Sequence, residues 1–135
     1  MRELRLLFEQ PPLEVGPNGR LHWAKKARVV KGLRVRSRLV TQAVVHANAE
    51  FEGFCPSVYD IEWYYTYGGA PDADGVIGRC KALLDGGADA LGVDDGTWDV
   101  GRVIRTKVGA KDPFSGKVVL IFRGKEACGA RLRKS

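Results

Sequence analysis

Residues 57–67 read SVYDIEWYYTY, and the next forty-one, 68–108, read GGAPDADGVIGRCKALLDGGADALGVDDGTWDVGRVIRTKV. The first stretch alternates. Tyr59, Ile61, Trp63, Tyr65 and Tyr67 fall on one side, with Val58, Asp60, Glu62, Tyr64 and Thr66 on the other. Period two with one apolar side is the pattern of a half-buried strand, antiparallel to its neighbour. Its aromatics read as core rather than as platforms for stacked bases. Gly68-Gly69-Ala70-Pro71 then makes a loop, and a helix is expected from Asp74 to about Ala90. An Asp at the helix start complements the positive end of the helix dipole. Gly75, Gly78, Gly86 and Gly87 each lower the helix propensity. Gly92-Val93-Asp94-Asp95-Gly96 closes the helix, and Trp98 to Val108 reads as the next strand.

Working outward, Asp112-Pro113-Phe114-Ser115-Gly116 is a turn, and Lys117 to Phe122 reads as the return strand of a hairpin. On the other side, Leu4 to Phe8 reads as a first strand ended by Pro11-Pro12. Gly16-Pro17-Asn18-Gly19 is a turn-rich loop. Trp23 to about Ala49 reads as a long helix. Val29, Val30, Leu33, Val40, Ala43, Val44 and Ala47 recur at three- and four-residue steps and define its expected buried face. The order is therefore β-α-β-α-β-β. It predicts a mixed α/β (α+β) fold with a small mixed sheet of about four strands and two main helices. Residues 1–123 form a single domain in this reading, and 124–135 form a polar, basic tail that frays.

At 135 residues, with 44% apolar and 28% charged residues, the composition is that of one globular domain, not a fibrous, coiled-coil or disordered chain. No apolar run approaches the ~20 residues that cross a bilayer, and Glu9 interrupts the short apolar start. No membrane association is expected. Cys55, Cys80 and Cys128 are odd in number with no CxxC pair, which argues for a reducing, cytoplasmic setting and against a disulfide framework or a cysteine zinc site.

The net charge of +6 is unevenly spread. Val15 to Ala49 holds eight basic residues and no acidic one, and Glu50 to Val100 holds eleven acidic and two basic ones. From Gly101 onward ten bases stand against two acids. Basic surface attracts polyanions, commonly nucleic acid. Arg28, Lys31, Arg34 and Arg38, spaced 3, 3 and 4, form a stripe along the first helix. Such a row repels itself unless a polyanion lies alongside, or unless the acidic half of the protein pairs with it.

Asp72 and Asp74 stand where a loop enters the second helix, and Asp94 and Asp95 where the chain leaves it. Magnesium takes one or two carboxylates and keeps several waters, and lowers the pKa of a bound water. Convergence of the two loops would make a cation site, but the intervening helix forbids it unless a strand returns the chain. Otherwise these are two acidic turns. Asp72-Ala73-Asp74-Gly75 fails as a calcium loop, because Val76 and Leu83 stand where ligands are needed. His22 and His46 lack zinc spacing. There is no Walker A loop, GxSxG elbow or GxGxxG motif. Lys81 projects from the same helix face as Asp74, two turns on, either toward a phosphate oxygen or into a salt bridge with Asp85.

Taken together, PDADGVIGRCKALLDGGADALGVDD, with the N-terminal PP and NGRLHWAKKARVVKGLR, resembles the RusA family of Holliday junction resolvases of phages and prophages. The family pattern is two Asp one residue apart, a helix carrying Lys and then Asp, and a closing Asp-Asp. Asp72, Asp74, Lys81, Asp85, Asp94 and Asp95 occupy those places, over a resemblance spanning roughly residues 4 to 123. It implies a homodimer that makes paired, magnesium-dependent nicks in four-way DNA junctions during recombination and repair, with manganese as a substitute ion and no organic cofactor. It implies Asp72, Asp74 and Asp95 as metal-binding carboxylates with Asp94 beside them, and Lys81 as the catalytic lysine. Arg20, His22, Lys25, Lys26, Arg28, Lys31, Arg34 and Arg38 would hold phosphates. The chain departs from the pattern at Gly75, where the family has Asn, and at Ala70-Pro71, where bases often precede the first Asp. A DNA- or RNA-binding module of the same fold that does not cut is the alternative. A nucleotide phosphohydrolase with a closed pocket is a third.

Overall fold

The computed structural model describes residues 2–16, 22–94, 96 and 98–124. Four strands and two helices follow in the expected order: β1 (Arg2–Glu9), α1 (Trp23–Ala47), β2 (Val58–Tyr65), α2 (Ala73–Leu91), β3 (Asp99–Lys107) and β4 (Lys117–Gly124). Single 3-10 turns stand at Leu13–Val15 and Ala49–Phe51. The sheet order is β1-β4-β2-β3. β4 is antiparallel to both β1 and β2, while β3 runs parallel to β2.

This corrects the expected hairpin. β3 and β4 are neighbours in sequence but are separated in the sheet by β2, which takes β4 on one side and β3 on the other. The crossover through α2 makes β2 and β3 parallel, as a helix between two strands of one sheet permits. β4 then fits between β1 and β2, where its run Val118-Val119-Leu120-Ile121-Phe122 is buried throughout. β2 is thus antiparallel to one neighbour and parallel to the other. Gly124 is the last residue of β4, and residues 125–135 of the expected tail lie outside the described residues.

The core joins the alternate residues of β1 (Leu4, Leu6, Phe8), β4 (Val118, Leu120, Phe122) and β2 (Tyr59, Ile61, Trp63) to Val76, Cys80, Leu83, Leu84 and Ala88 of α2. Tyr67 departs from the expected face: β2 ends at Tyr65, and Tyr67 is 83% exposed. α1 is also rotated from expectation. Leu33, Val40, Val44 and Val45 pack against the core, but its fully buried residues are Ser37 and Thr41, while Ala43 and Ala47 are exposed. Close approach explains the choice. A Cβ at Gly86 of α2 would lie 2.2 Å from the Arg34 carbonyl and 2.7 Å from Ser37 Cβ, so only small residues fit where the helices meet. Both hydroxyls are satisfied: Ser37 Oγ donates to the Leu83 carbonyl at 2.6 Å and Thr41 Oγ1 to the Ser37 carbonyl at 2.7 Å. Gly87 similarly lies against the edge of the Phe122 ring, which is 2.7 Å from where its Cβ would stand. The glycines that weaken α2 as an isolated helix are what let it pack.

Cys80 is free and buried, with its thiol pushed up to about 12 by desolvation. Cys55, however, is disulfide-bonded, which runs against the reducing setting expected from the cysteine count; Cys128 lies outside the described residues. No described helix is long and apolar enough to cross a membrane.

Candidate functional site

In a sheet with a strand-helix-strand crossover, ligands gather beyond the carboxyl ends of the parallel strands, where the helix begins. Here that edge is made by the ends of β2 and β3, the loop from Thr66 to Pro71, and the first turn of α2. Asp72 is the N-cap of α2. Its Oδ2 accepts the Gly75 N–H at 3.2 Å, and this cap is why the helix starts at Ala73. Asp74 lies in the first helical turn, and both carboxylates are exposed.

A shallow groove of about 360 Å³ runs beside this edge, lined by Gln10, Trp63, Tyr65, Tyr67, Arg79 and Ser115 among others. Arg79 is built into its wall: it donates from Nε to the Pro11 carbonyl at 3.1 Å, and its guanidinium lies 4.6 Å above the Trp63 ring. Gln10 donates to the carbonyls of Tyr64 and Lys117 at 2.6 and 3.1 Å. Arg105, from the end of β3, donates to the carbonyl of Pro71, the residue before Asp72, at 3.2 Å. The sequence reading missed Arg105 and Arg79. The cation-π contact of Arg79 has no local sequence signal, whereas Gly101 and the adjacent apolar pair Val103-Ile104 mark a break of alternation in β3.

Asp94 is at the other end of α2. Its Oδ1 accepts the Gly96 N–H at 2.9 Å, after Gly92 has ended the helix in the left-handed conformation. Nineteen residues of α2 separate it from Asp72, a distance of about 27 Å. β3 does not return the chain to Asp72 before Asp94, since β3 starts only at Asp99. Within one chain the two acidic loops therefore stay apart. Asp95 lies outside the described residues. Among the described residues, no three His, Cys, Asp or Glu side chains gather as a metal site. Asp72 and Asp74, two residues apart at the start of α2, offer carboxylates of the kind magnesium takes, one or two with water completing its shell.

The bases expected to hold phosphates divide. His22 is the N-cap of α1, its Nδ1 accepting the Ala24 N–H at 3.3 Å. Lys25, Arg28, Lys31 and Arg38 are exposed. Arg34 is exposed too, but it reaches across the helix seam, its Nε and Nη2 donating to the two Asp89 oxygens at 2.6 and 2.8 Å, with Asp85 4.0 Å away. Lys81 donates to Asp85 at 2.7 Å, the salt bridge weighed from the spacing. Lys81, Asp85 and Lys26 line one groove of about 320 Å³ between α1 and α2, and Lys26 donates to the Gly16 carbonyl at 3.3 Å. The structure thus brings Lys26 and Lys81 together, on the α2 face that Asp74 begins. Arg20 lies outside the described residues.

The opposite sheet face has its own polar centre. Asp60 Oδ2 accepts Arg123 Nε at 2.8 Å, and Oδ1 accepts the Arg102 N–H at 2.8 Å. Burial raises the Asp60 carboxyl, but these hydrogen bonds and charges outweigh it and hold it below the ordinary carboxylate range.

No protein-family model matches the chain. The chain is similar to a protein of Xylella fastidiosa (strain Temecula1), described only as uncharacterized. The two are 29% identical over 124 residues, covering 88% of this chain and 75% of that protein.

Proposed function

We propose that this protein is a magnesium-dependent endodeoxyribonuclease that nicks four-way DNA junctions as a homodimer. The observation that carries the reading is the pairing of opposite chemistries at one edge: the exposed Asp72 and Asp74 beside Arg105, on a chain of net charge +6. Asp72 and Asp74 would hold magnesium, or manganese in its place, which supplies when bound a water of lowered pKa for attack on a phosphodiester. The chain's own part is to present that edge, to hold the DNA backbone by charge, and to keep Lys81 on the same helix face. Lys25, Arg28, Lys31 and Arg38 along α1 supply sequence-independent attraction to phosphates, which salt weakens steeply.

A homodimer is what a site using both acidic loops would require. A single α2 keeps Asp72 and Asp94 about 27 Å apart, so a site that uses both needs two copies with their α2 helices opposed. A junction with two-fold symmetry also needs two equivalent sites to cut opposed strands. The same separation favours the second reading, a binding module of this fold that holds branched DNA or RNA and does not cut it.

The test is nicking of a synthetic four-way junction and a matched linear duplex, in magnesium, manganese or EDTA, by wild type and Asp74→Asn. The nuclease reading expects symmetric, metal-dependent cuts in the junction that the substitution removes. Tight junction binding with no cuts by wild type selects the binding module. Absence of both binding and cutting overturns the nucleic-acid reading.

A further inference from the structure

We infer that Arg105 is a phosphate-holding residue of the carboxylate edge, and that a bulge in β3 is what turns it there. The inference rests on the nucleic-acid reading above and adds a residue and a device to it.

The argument begins with register. Tyr59 of β2 stands opposite Val100 of β3, but Ile61 stands opposite Val103: two steps on β2 match three on β3. Side chains along a strand alternate between faces, so one extra residue sends every later side chain to the opposite face. Tyr59, Ile61 and Trp63 face the helices. An unbroken register would set Arg102, Ile104 and Thr106 opposite Ile61, Trp63 and Tyr65. With the bulge, those partners are Val103, Arg105 and Lys107. Val103 packs on the core, and the two bases land on the helix side, at the strand end where α2 begins. Ile104 and Thr106 go to the open face instead, opposite Glu62 and Tyr64.

The bulge is locked. The Arg102 N–H, inside the extra step, donates to Asp60 Oδ1 at 2.8 Å. Arg123 holds the same carboxylate, donating from Nε to Oδ2 at 2.8 Å and from Nη2 to Oδ1 at 3.1 Å. Gly101 is required there, since a Cβ would stand 2.0 Å from Asp60 Oδ1. Bulges are frequent beside binding sites because they re-aim side chains.

Arg105 itself is suited to a phosphate. A guanidinium has five N–H donors in a planar fork. One donates to the Pro71 carbonyl, which fixes the head next to Asp72, and the side chain is exposed. Among the described residues it forms no ion pair with Asp72 or Asp74, so its charge is not spent on them.

The experiment is junction binding by fluorescence anisotropy, with calcium in place of magnesium, across a range of salt. It compares wild type with Arg105→Ala, Arg105→Lys, Asp60→Asn and Arg5→Ala, each checked for folding by thermal melting. Arg5 removes an equal charge from β1, the far edge of the sheet, where it pairs with Glu62. Arg105→Ala is expected to weaken binding about tenfold, the size of one charge-assisted hydrogen bond. It should also lower the slope of log affinity against log salt by about 0.9, one phosphate contact. Arg105→Lys keeps the slope and loses part of the affinity. Asp60→Asn, once shown to be folded, follows Arg105→Ala because the lock is gone, and Arg5→Ala follows wild type. If Arg105→Ala matches Arg5→Ala while wild type binds, the role of Arg105 is overturned and the proposed function stands. If Asp60→Asn, folded, binds as wild type does, the bulge is not what aims Arg105. Wild type that binds neither junction nor duplex overturns this inference together with the reading it rests on.

Discussion

β3 and β4 both pair with β2, and they are built on opposite plans. β4 has five consecutive buried residues, Val118 to Phe122, and lies between two strands. β3 has a single half-buried residue, Val103, in nine, and its outer edge has no strand partner among the described residues. The difference follows from sequence. VVLIF is apolar on both sides of the pleat, and a strand of that kind is stable only in the middle of a sheet. DVGRVIRTK carries three bases, a glycine and a broken alternation, devices that suit an edge and discourage further pairing. The sheet therefore keeps its stability on one side of β2 and presents its polar chemistry on the other. If that division is right, substitutions in β4 should act on folding, and those in β3 on binding.

The largest expected effect tests the stable half. Phe122 is fully buried, with Trp98 at 5.0 Å between ring centroids and Gly87 of α2 against its edge. Phe122→Ala removes a large ring and leaves a cavity that the sheet and α2 close only in part. The cost should be about 3–5 kcal/mol, read from urea unfolding. A cost below about 1 kcal/mol would mean that β4 does not anchor the core.

A smaller effect lies where the two halves touch. Asp60, on β2, holds Arg123 of β4 and the Arg102 N–H of β3. Its folded-state carboxyl lies below the value it has in the unfolded chain, so in the folded protein it gives up its proton more readily. Its contribution to stability is then complete above that unfolded value. It disappears as pH falls through the lower folded value. Melting temperatures taken downward from pH 5 should fall in wild type, and fall less steeply in Asp60→Asn, which starts lower and has no such proton to gain. Parallel curves would show that other carboxylates set the acid limit.

The two helices and the four strands were legible in the sequence because each has a local cause: a period, a proline, an acidic helix start. The cap itself was not: the helix expected from Asp74 begins at Ala73, with Asp72 as its N-cap. Nor was the pairing legible. Nine residues between β3 and β4, with Asp112-Pro113 among them, look like a hairpin loop, and nothing local says that β2 intervenes. The buried face of α1 was misjudged for a related reason. Ser37 and Thr41 are polar by composition, and only Gly86 on another helix makes them the residues that fit. In the site, Asp72 and Asp74 were legible as a pair. Their distance from Asp94 depended on the length of α2, and the reading left convergence open. For Arg105 the sequence holds only the break of alternation at Val103-Ile104, since its face depends on a register shift fixed by Asp60 and Arg123, 45 and 18 residues away in sequence.

The smallest effect sharpens the comparison most, because it asks whether β3 contributes to stability at all. Ile104 is apolar, β-branched and 41% exposed on the open sheet face, opposite Glu62. Replacement by Thr keeps the branched shape that suits a strand and removes little buried area. The expected change in unfolding free energy is within about 0.5 kcal/mol, the range of surface substitutions away from structural features. Junction affinity should stay at the wild-type value, since the bulge turns Ile104 away from the edge that Arg105 faces. A loss of 2 kcal/mol would mean that something covers this face in solution, and the same loss appearing only at high protein concentration would identify the cover as a second copy of the chain.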